Sequence, residues 1–182
     1  NAHFGAQTET HVTLPTLRLD RSKFEICLFA VASNPGPIED YARSLADSFL
    51  PRLAASCEKI VVGPGLDAGT EMGPLISRAH QKKVLDYIHA GHEDGAELLC
   101  GGGAYTDQRA VGNFVQPTVF TNARPDMRIV REEIFGPVLV MIPFEDEADA
   151  VRIANDSPYG LTHYVQSQDG AKRNRMARSL KA

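Results

Sequence analysis

Three cysteines are the side chains of this sequence best suited to act as nucleophiles or as soft metal ligands: Cys27, Cys57 and Cys100. A thiolate does both kinds of chemistry. An odd and sparse set of cysteines is not typical of a disulfide framework, and no Cys-x-x-Cys spacing favours a zinc knuckle. Cysteine usage of this kind indicates a reducing compartment, so we expect a cytoplasmic protein.

The surroundings of the three cysteines differ. Cys27 lies in the apolar run FEICLFAVA at residues 24–32, which favours a buried strand. Burial there would raise the pKa of the thiol and leave it inert. Cys57 lies on a helix that leads to a glycine-containing loop, and Cys100 closes a short strand before three glycines. We interpret Cys57 and Cys100 as structural.

Charge and hydropathy exclude several classes of function. The 182 residues carry a formal net charge of -4, which argues against a nucleic-acid-binding module because such modules usually have a basic excess. No apolar run approaches the roughly 20 residues of a membrane helix, so we expect no membrane partner. His89 and His92 stand three positions apart on a helix, but no third ligand lies nearby in the sequence. We therefore expect no metal site.

Apolar and turn residues predict alternating strands and helices. Ser77 is expected to cap a helix that runs to about Glu93, and Gly95 to end it. The run PVLVMIP at residues 137–143 predicts a strand covered on both faces. Further strands are predicted at 96–100, 114–120 and 161–166, and further helices at 146–154 and 171–181. This order predicts an α/β fold in which helices flank a parallel-stranded sheet.

One segment is much more specific than the rest, because residues 132–138 read EEIFGPV. Three further segments accompany it: MGPL at 72–75, FVQPTVF at 114–120 and NDSPYGL at 155–161. In their order and spacing, the four segments resemble the aldehyde dehydrogenase family. The resemblance is strong over residues 58–182 and poor over residues 1–57. It implies that residues 1–182 form a single domain of the family's catalytic type.

The resemblance implies an activity, a cofactor and two site residues. In this family a cysteine thiolate attacks an aldehyde carbonyl, hydride passes to NAD+ or NADP+, and water releases a carboxylic acid. Glu133 matches the glutamate that holds the nicotinamide-ribose hydroxyls, and Phe135 matches the aromatic residue beside the nicotinamide. Without the motif, Glu133 would be a solvated charge next to Glu132, and Phe135 would be a core anchor. The family also implies a small-molecule aldehyde as substrate and a homo-oligomeric parent protein.

The nucleophile is where the sequence departs from the family, which places its cysteine in a Gly-Gln-x-Cys context that this chain lacks. One alignment puts Glu9 in the cysteine position, and a glutamate cannot form the thiohemiacetal. The other puts Cys27 there, with Phe24 and Glu25 in place of glycine and glutamine. Cys27 is therefore the candidate nucleophile, with the buried-strand interpretation as its alternative.

The sequence also lacks a Gly-x-Gly-x-x-Gly phosphate loop. The resemblance thus implies that NAD or NADP is bound mainly by a domain absent from this chain, which would be a portion of the family's catalytic domain. Two alternatives to a dehydrogenase stay open. One is a non-catalytic, family-like fragment that acts in assembly, which the missing cysteine context favours. The other is a thiol-dependent esterase, which needs a cysteine but no cofactor.

Overall fold

The computed structural model describes the backbone of two short segments, and the backbone and side chains of most of the rest. The segments described by backbone alone are 2–5 and 11–14, and those described in full are 49–160, 163–165, 167 and 169–181. The chain divides into two compact units, which we describe separately. The larger unit contains residues 52–142, and the smaller unit contains the other described residues. Among the described helices, none combines the length and apolarity needed to span a lipid bilayer.

The described residues form short strands and helices in alternation. The strands are β1 (Ala2–Gly5), β2 (His11–Leu14), β3 (Glu97–Cys100), β4 (Thr118–Thr121) and β5 (Val138–Val140). The α-helices are α1 (Leu50–Glu58), α2 (Arg78–Glu93), α3 (Arg128–Arg131), α4 (Glu147–Asn155) and α5 (Gly170–Ser179). A 3-10 turn covers Gln108–Val111. Strands β1 and β2 pair in antiparallel fashion.

Helix α2 begins and ends where its capping residues predict. The Ser77 Oγ accepts a hydrogen bond from the backbone N–H of His80 at 3.1 Å, which satisfies one of the free donors of the first turn. At the other end, the left-handed Gly95 (φ 87°) follows the last turn. The predicted helix over Ser77 to Glu93 is therefore confirmed.

One face of α2 packs into the core of the larger unit. Val84 and Ile88 are buried on this face. A methyl group added at Gly91 would lie 3.0 Å from side-chain carbons of both Phe120 and Ile129, so the helix approaches β4 and α3 closely. The core around this contact is apolar, and its buried members are Val84, Tyr87, Ile88, Ala96, Val115, Phe120, Ala123, Met127, Ile129 and Ile134.

The sheet of the larger unit has the order β3-β4-β5. Strand β4 is parallel to β5, with Thr118 opposite Val138, as the sequence predicts. Strand β3 is antiparallel to β4, with Glu97 opposite Thr121, so the sheet predicted to be parallel-stranded is mixed. With helices packed against this sheet, the α/β class is confirmed.

The connections explain the two strand directions. Between β3 and β4 the chain makes no α-helical crossover, so the next strand returns in the opposite direction. Gly101 starts this return with φ 75°, and a side chain there would overlap the Pro117 carbonyl. Between β4 and β5 the chain includes α3 and comes back parallel. Strand β5 is shorter than the predicted 137–143, and its residues are half-buried, in agreement with its place at one edge of these three strands.

The described end of the smaller unit is a pair of capped helices. The Asp146 carboxylate accepts the N–H of Asp149 at 2.8 Å and starts α4, close to the predicted boundary. Arg175 on α5 donates to both carboxylate oxygens of Glu147 at 2.6 and 2.7 Å. Residues 163–165 have no strand conformation, which corrects that part of the strand predicted at 161–166; positions 161, 162 and 166 lie outside the described residues.

Candidate functional site

The segment that carries the EEIFGPV motif is a turn between α3 and β5 in the larger unit. Its side chains alternate between solvent and core. Glu133 is half-buried, Ile134 is 8% exposed and belongs to the core, and Phe135 is 51% exposed. An aromatic residue with half of its surface in solvent is not acting as the core anchor of this turn, because Ile134 fills that role. We call residues 132–137 the EEIFGP turn.

The backbone of the EEIFGP turn is in an uncommon conformation at its exposed aromatic residue. Phe135 has φ 54°, in the left-handed region, which costs an L-residue roughly 1–2 kcal/mol relative to the right-handed one. A non-glycine residue keeps this conformation only where its surroundings hold it.

Helix α2 supplies the contacts that hold this turn. The Nε2 of His80 lies 2.5 Å from the Phe135 carbonyl oxygen. Because a carbonyl oxygen only accepts, this ring nitrogen is the donor. One helical turn further on, a methyl group added at Gly136 would lie 2.7 Å from both γ-carbons of Val84. The backbone of the turn therefore lies directly against α2. Any residue larger than glycine at position 136 would require Val84 or the backbone to shift.

The first glutamate of the turn is fully engaged in the protein. The Tyr87 hydroxyl donates to the Glu132 carboxylate at 2.7 Å, and the Arg128 Nε lies 3.3 Å from each of its oxygens. The Arg128 guanidinium also stands 4.5 Å from the centre of the Tyr87 ring. The Tyr87 hydrogen bond, with the Arg128 contacts, lowers the pKa of Glu132 below its ordinary value. In return, this hydrogen bond raises the pKa of Tyr87.

The second glutamate of the turn is different. Within the part of the chain that the structure describes, the Glu133 carboxylate has no hydrogen-bond or ion-pair partner. It is half-buried and lies two positions before the exposed Phe135, and the Lys83 ammonium lies 5.9 Å from the centre of the Phe135 ring. The two adjacent glutamates thus have separate roles: Glu132 fastens the turn, and Glu133 presents two acceptor oxygens.

Comparison with known proteins identifies the family to which the EEIFGP turn belongs. The sequence profile of the aldehyde dehydrogenase family matches residues 41–182. This chain belongs to the aldehyde dehydrogenase family. The resemblance predicted from the four motifs is thereby confirmed, and the profile match extends further towards the N-terminus than the predicted start at residue 58.

Relatives in this family share about two-fifths of the matched residues. Betaine aldehyde dehydrogenase of Sinorhizobium fredii is 41% identical over 140 residues, which are 77% of this chain and 29% of that protein. The betaine aldehyde dehydrogenase of Staphylococcus aureus, solved with NAD+, is 44% identical with a TM-score of 0.72, over 76% of this chain and 28% of that one. An aldehyde dehydrogenase C mutant of Pseudomonas syringae, solved with NAD+ and octanal, is 38% identical with a TM-score of 0.73, over 77% and 29%. The chain therefore spans less than a third of the length of these relatives.

The structure describes two of the three cysteines. Cys27 lies outside the described residues. Cys57 and Cys100 are free thiols, each 8% exposed, and their side chains contact each other. Burial raises the pKa of Cys57 to about 12, and the neighbouring Cys100 adds to the shift; burial also raises the pKa of Cys100. Thiols of this kind are almost entirely un-ionised near neutral pH, in agreement with their interpretation as structural.

Three residues of α2 support the EEIFGP turn, and sequence reasoning did not connect them with it. His80, Val84 and Tyr87 contact Phe135, Gly136 and Glu132 in that order. Their spacing of i, i+4 and i+7 places all three on one helix face, which is the signal that was present in the sequence. Nothing in the sequence indicated that this face meets a segment about 50 residues away. The two other histidines considered as metal ligands are engaged in the protein: His89 pairs with Glu93 and His92 packs on Phe120.

Proposed function

We propose that this protein oxidises small-molecule aldehydes to carboxylic acids with NAD+ or NADP+, and that the EEIFGP turn forms one wall of its nicotinamide site. The observation that carries the proposal is a carboxylate with no partner among the described residues, two positions before an exposed aromatic residue on a firmly held turn, in a chain of the aldehyde dehydrogenase family. When bound, the nicotinamide accepts a hydride from the substrate carbon.

Glu133 is suited to hold the ribose of such a cofactor. Its two oxygens can each accept a hydrogen bond from one hydroxyl of a vicinal diol, and no described residue competes for them. Glu132, although adjacent, is committed to Tyr87 and Arg128. The Phe135 ring offers an apolar surface that excludes water from one side of the site.

Cys27 is the proposed nucleophile. Its thiolate would add to the aldehyde carbonyl to form a carbon–sulfur bond. Departure of hydride would then give a thioester, and water would release the acid and restore the thiol. Support comes from the other two cysteines, which are buried and have raised pKa values, so Cys27 is the remaining thiol of this chain. The sequence context of Cys27 remains unlike that of the family's nucleophile.

The remaining parts of the proposal concern the whole protein. We propose that residues 1–182 form a single catalytic-type domain, that a domain outside this chain makes most of the contacts with NAD or NADP, and that the full protein is a homo-oligomer. The small share of the relatives' length that the chain covers supports the second statement. A cytoplasmic location is also proposed, supported by the free thiols of Cys57 and Cys100.

The test uses the natural polypeptide that contains this chain, assayed for NADH or NADPH formation with betaine aldehyde, octanal and acetaldehyde. We expect aldehyde-dependent formation of the reduced cofactor, abolished by Cys27→Ser and retained by the matched control Cys100→Ala. Glu133→Gln should raise the Kd for the cofactor roughly 10- to 100-fold, the range for lost charge-assisted hydrogen bonds. Glu93→Gln, which removes an exposed carboxylate on α2, should leave this Kd unchanged.

Three results would contradict parts of the proposal. Hydrolysis of an activated ester that iodoacetamide abolishes, without any reduced cofactor, would identify the thiol-dependent esterase instead. Absence of both activities would favour the non-catalytic role in assembly. Full activity of Cys27→Ser would show that Cys27 is not the nucleophile.

A further inference from the structure

The conformation of Phe135 needs an explanation in the protein itself, because left-handed backbone at an aromatic residue relaxes unless something holds it. Within the described residues, His80 makes the one side-chain hydrogen bond to the backbone of residues 133–137, from Nε2 to the Phe135 carbonyl oxygen at 2.5 Å. The next two carbonyl oxygens along the chain accept backbone hydrogen bonds: that of Gly136 from the Val138 N–H, and that of Pro137 from the Thr118 N–H. Among the described residues, His80 is therefore the side chain that fixes the orientation of the peptide between residues 135 and 136.

His80 is itself well placed to act as a fixed donor. It stands in the first turn of α2, where its own N–H is bound by the Ser77 Oγ at 3.1 Å, so the position of its backbone is set by the helix cap. The ring is half-buried. With Nε2–H donating to a carbonyl, the ring needs no protonation beyond the neutral tautomer that carries its hydrogen on Nε2.

The three supports of the turn differ in what else they do. Val84 is fully buried and Tyr87 is 4% exposed, and both belong to the apolar core, so changes at either would also lower stability. His80 is half-buried and is not a member of that core. Its contact with the turn can be removed with little loss of packing. A substitution of His80 can therefore test a positioning role with little effect on the stability of the core.

We propose that His80 is a positioning residue for the reaction. Its Nε2–H holds the Phe135 peptide in the left-handed conformation that turns the Phe135 ring and the Glu133 carboxylate outward while Ile134 points into the core. This inference rests on the proposed function, since it assigns His80 to the same cofactor site. His80 acts through the EEIFGP turn and not by contact with the reacting atoms.

The experiment compares His80→Ala, His80→Gln and His89→Ala in the natural polypeptide that contains this chain. His89 is the matched control because it is an exposed histidine on the same helix, and its partner among the described residues is Glu93. We expect His80→Ala to raise the Kd for NAD+ or NADP+ roughly tenfold, as for one lost hydrogen bond and a relaxed turn. The KM for the aldehyde should stay within about twofold. His80→Gln, whose amide N–H can reach a carbonyl, should restore most of the affinity, and His89→Ala should match the wild type.

A second measurement does not depend on the cofactor. In NMR spectra of the histidine rings, the Nε2–H proton of His80 should be observed and should exchange slowly with water, because the hydrogen bond to the Phe135 carbonyl oxygen protects it. Unchanged cofactor affinity in His80→Ala, an equal loss in His80→Gln, or a His80 ring N–H that exchanges as fast as that of the exposed His89 would each overturn the inference. If the wild type bound neither NAD+ nor NADP+, the proposed function would fail, and the exchange rate of the His80 ring N–H alone would decide whether His80 holds the turn.

Discussion

Gly136→Ala tests whether the EEIFGP turn rests directly on α2. An alanine methyl group at this position would lie 2.7 Å from each γ-carbon of Val84 and 3.3 Å from its β-carbon. Carbon atoms in van der Waals contact are about 3.5–4.0 Å apart, so the overlap is about 1 Å with two carbons. Val84 is fully buried, and side chains in a close-packed core have little room to move. We expect the substitution to lower the free energy of unfolding by roughly 1–3 kcal/mol, as for an overpacked core.

Urea unfolding measured by circular dichroism gives this free energy, and Gly73→Ala is the matched control. No heavy atom lies within 4 Å of a methyl group at Gly73, so that substitution should be neutral or should stabilise by up to about 1 kcal/mol. A double-mutant cycle with Val84→Ala should give a coupling energy of roughly 1 kcal/mol or more, because removing the γ-carbons relieves the overlap. Equal stabilities of Gly136→Ala and Gly73→Ala would refute the close contact between the turn and the helix.

Two further predictions concern buried thiols and acid stability. With a pKa of about 12, only about one Cys57 thiol in ten thousand is ionised at pH 8. Iodoacetamide should therefore label the buried Cys57 and Cys100 only after unfolding. Peptide mass spectrometry that finds either cysteine labelled in the native protein would contradict this prediction. Because the pKa of Glu132 is lowered in the folded state, its contribution to stability is present above its ordinary pKa of about 4 and is lost as the pH falls through the folded-state value. The stability difference between the wild type and Glu132→Gln should therefore shrink on acidification, and a difference that is constant with pH would contradict the Tyr87–Glu132 hydrogen bond.

The local patterns of the sequence were sufficient for several elements of the fold. Ser77 and Gly95 bound α2 because capping and left-handed glycine depend on residues within one helical turn. The α/β class followed from the alternation of strand and helix patterns. The direction of β3 did not follow, since strand pairing depends on how a connection folds back and not on the residues within the strand.

The sequence by itself determined the family, because the EEIFGPV motif and its three companions are specific in composition and order. Only the tertiary structure decided which of two adjacent glutamates is committed and which is available. Glu132 meets Tyr87, which lies 45 residues away in the chain, whereas Glu133 meets no partner among the described residues. The support of Phe135 by His80 likewise spans 55 residues. Contacts over such separations arise from the packing of α2 on the sheet, and no local pattern carries that information.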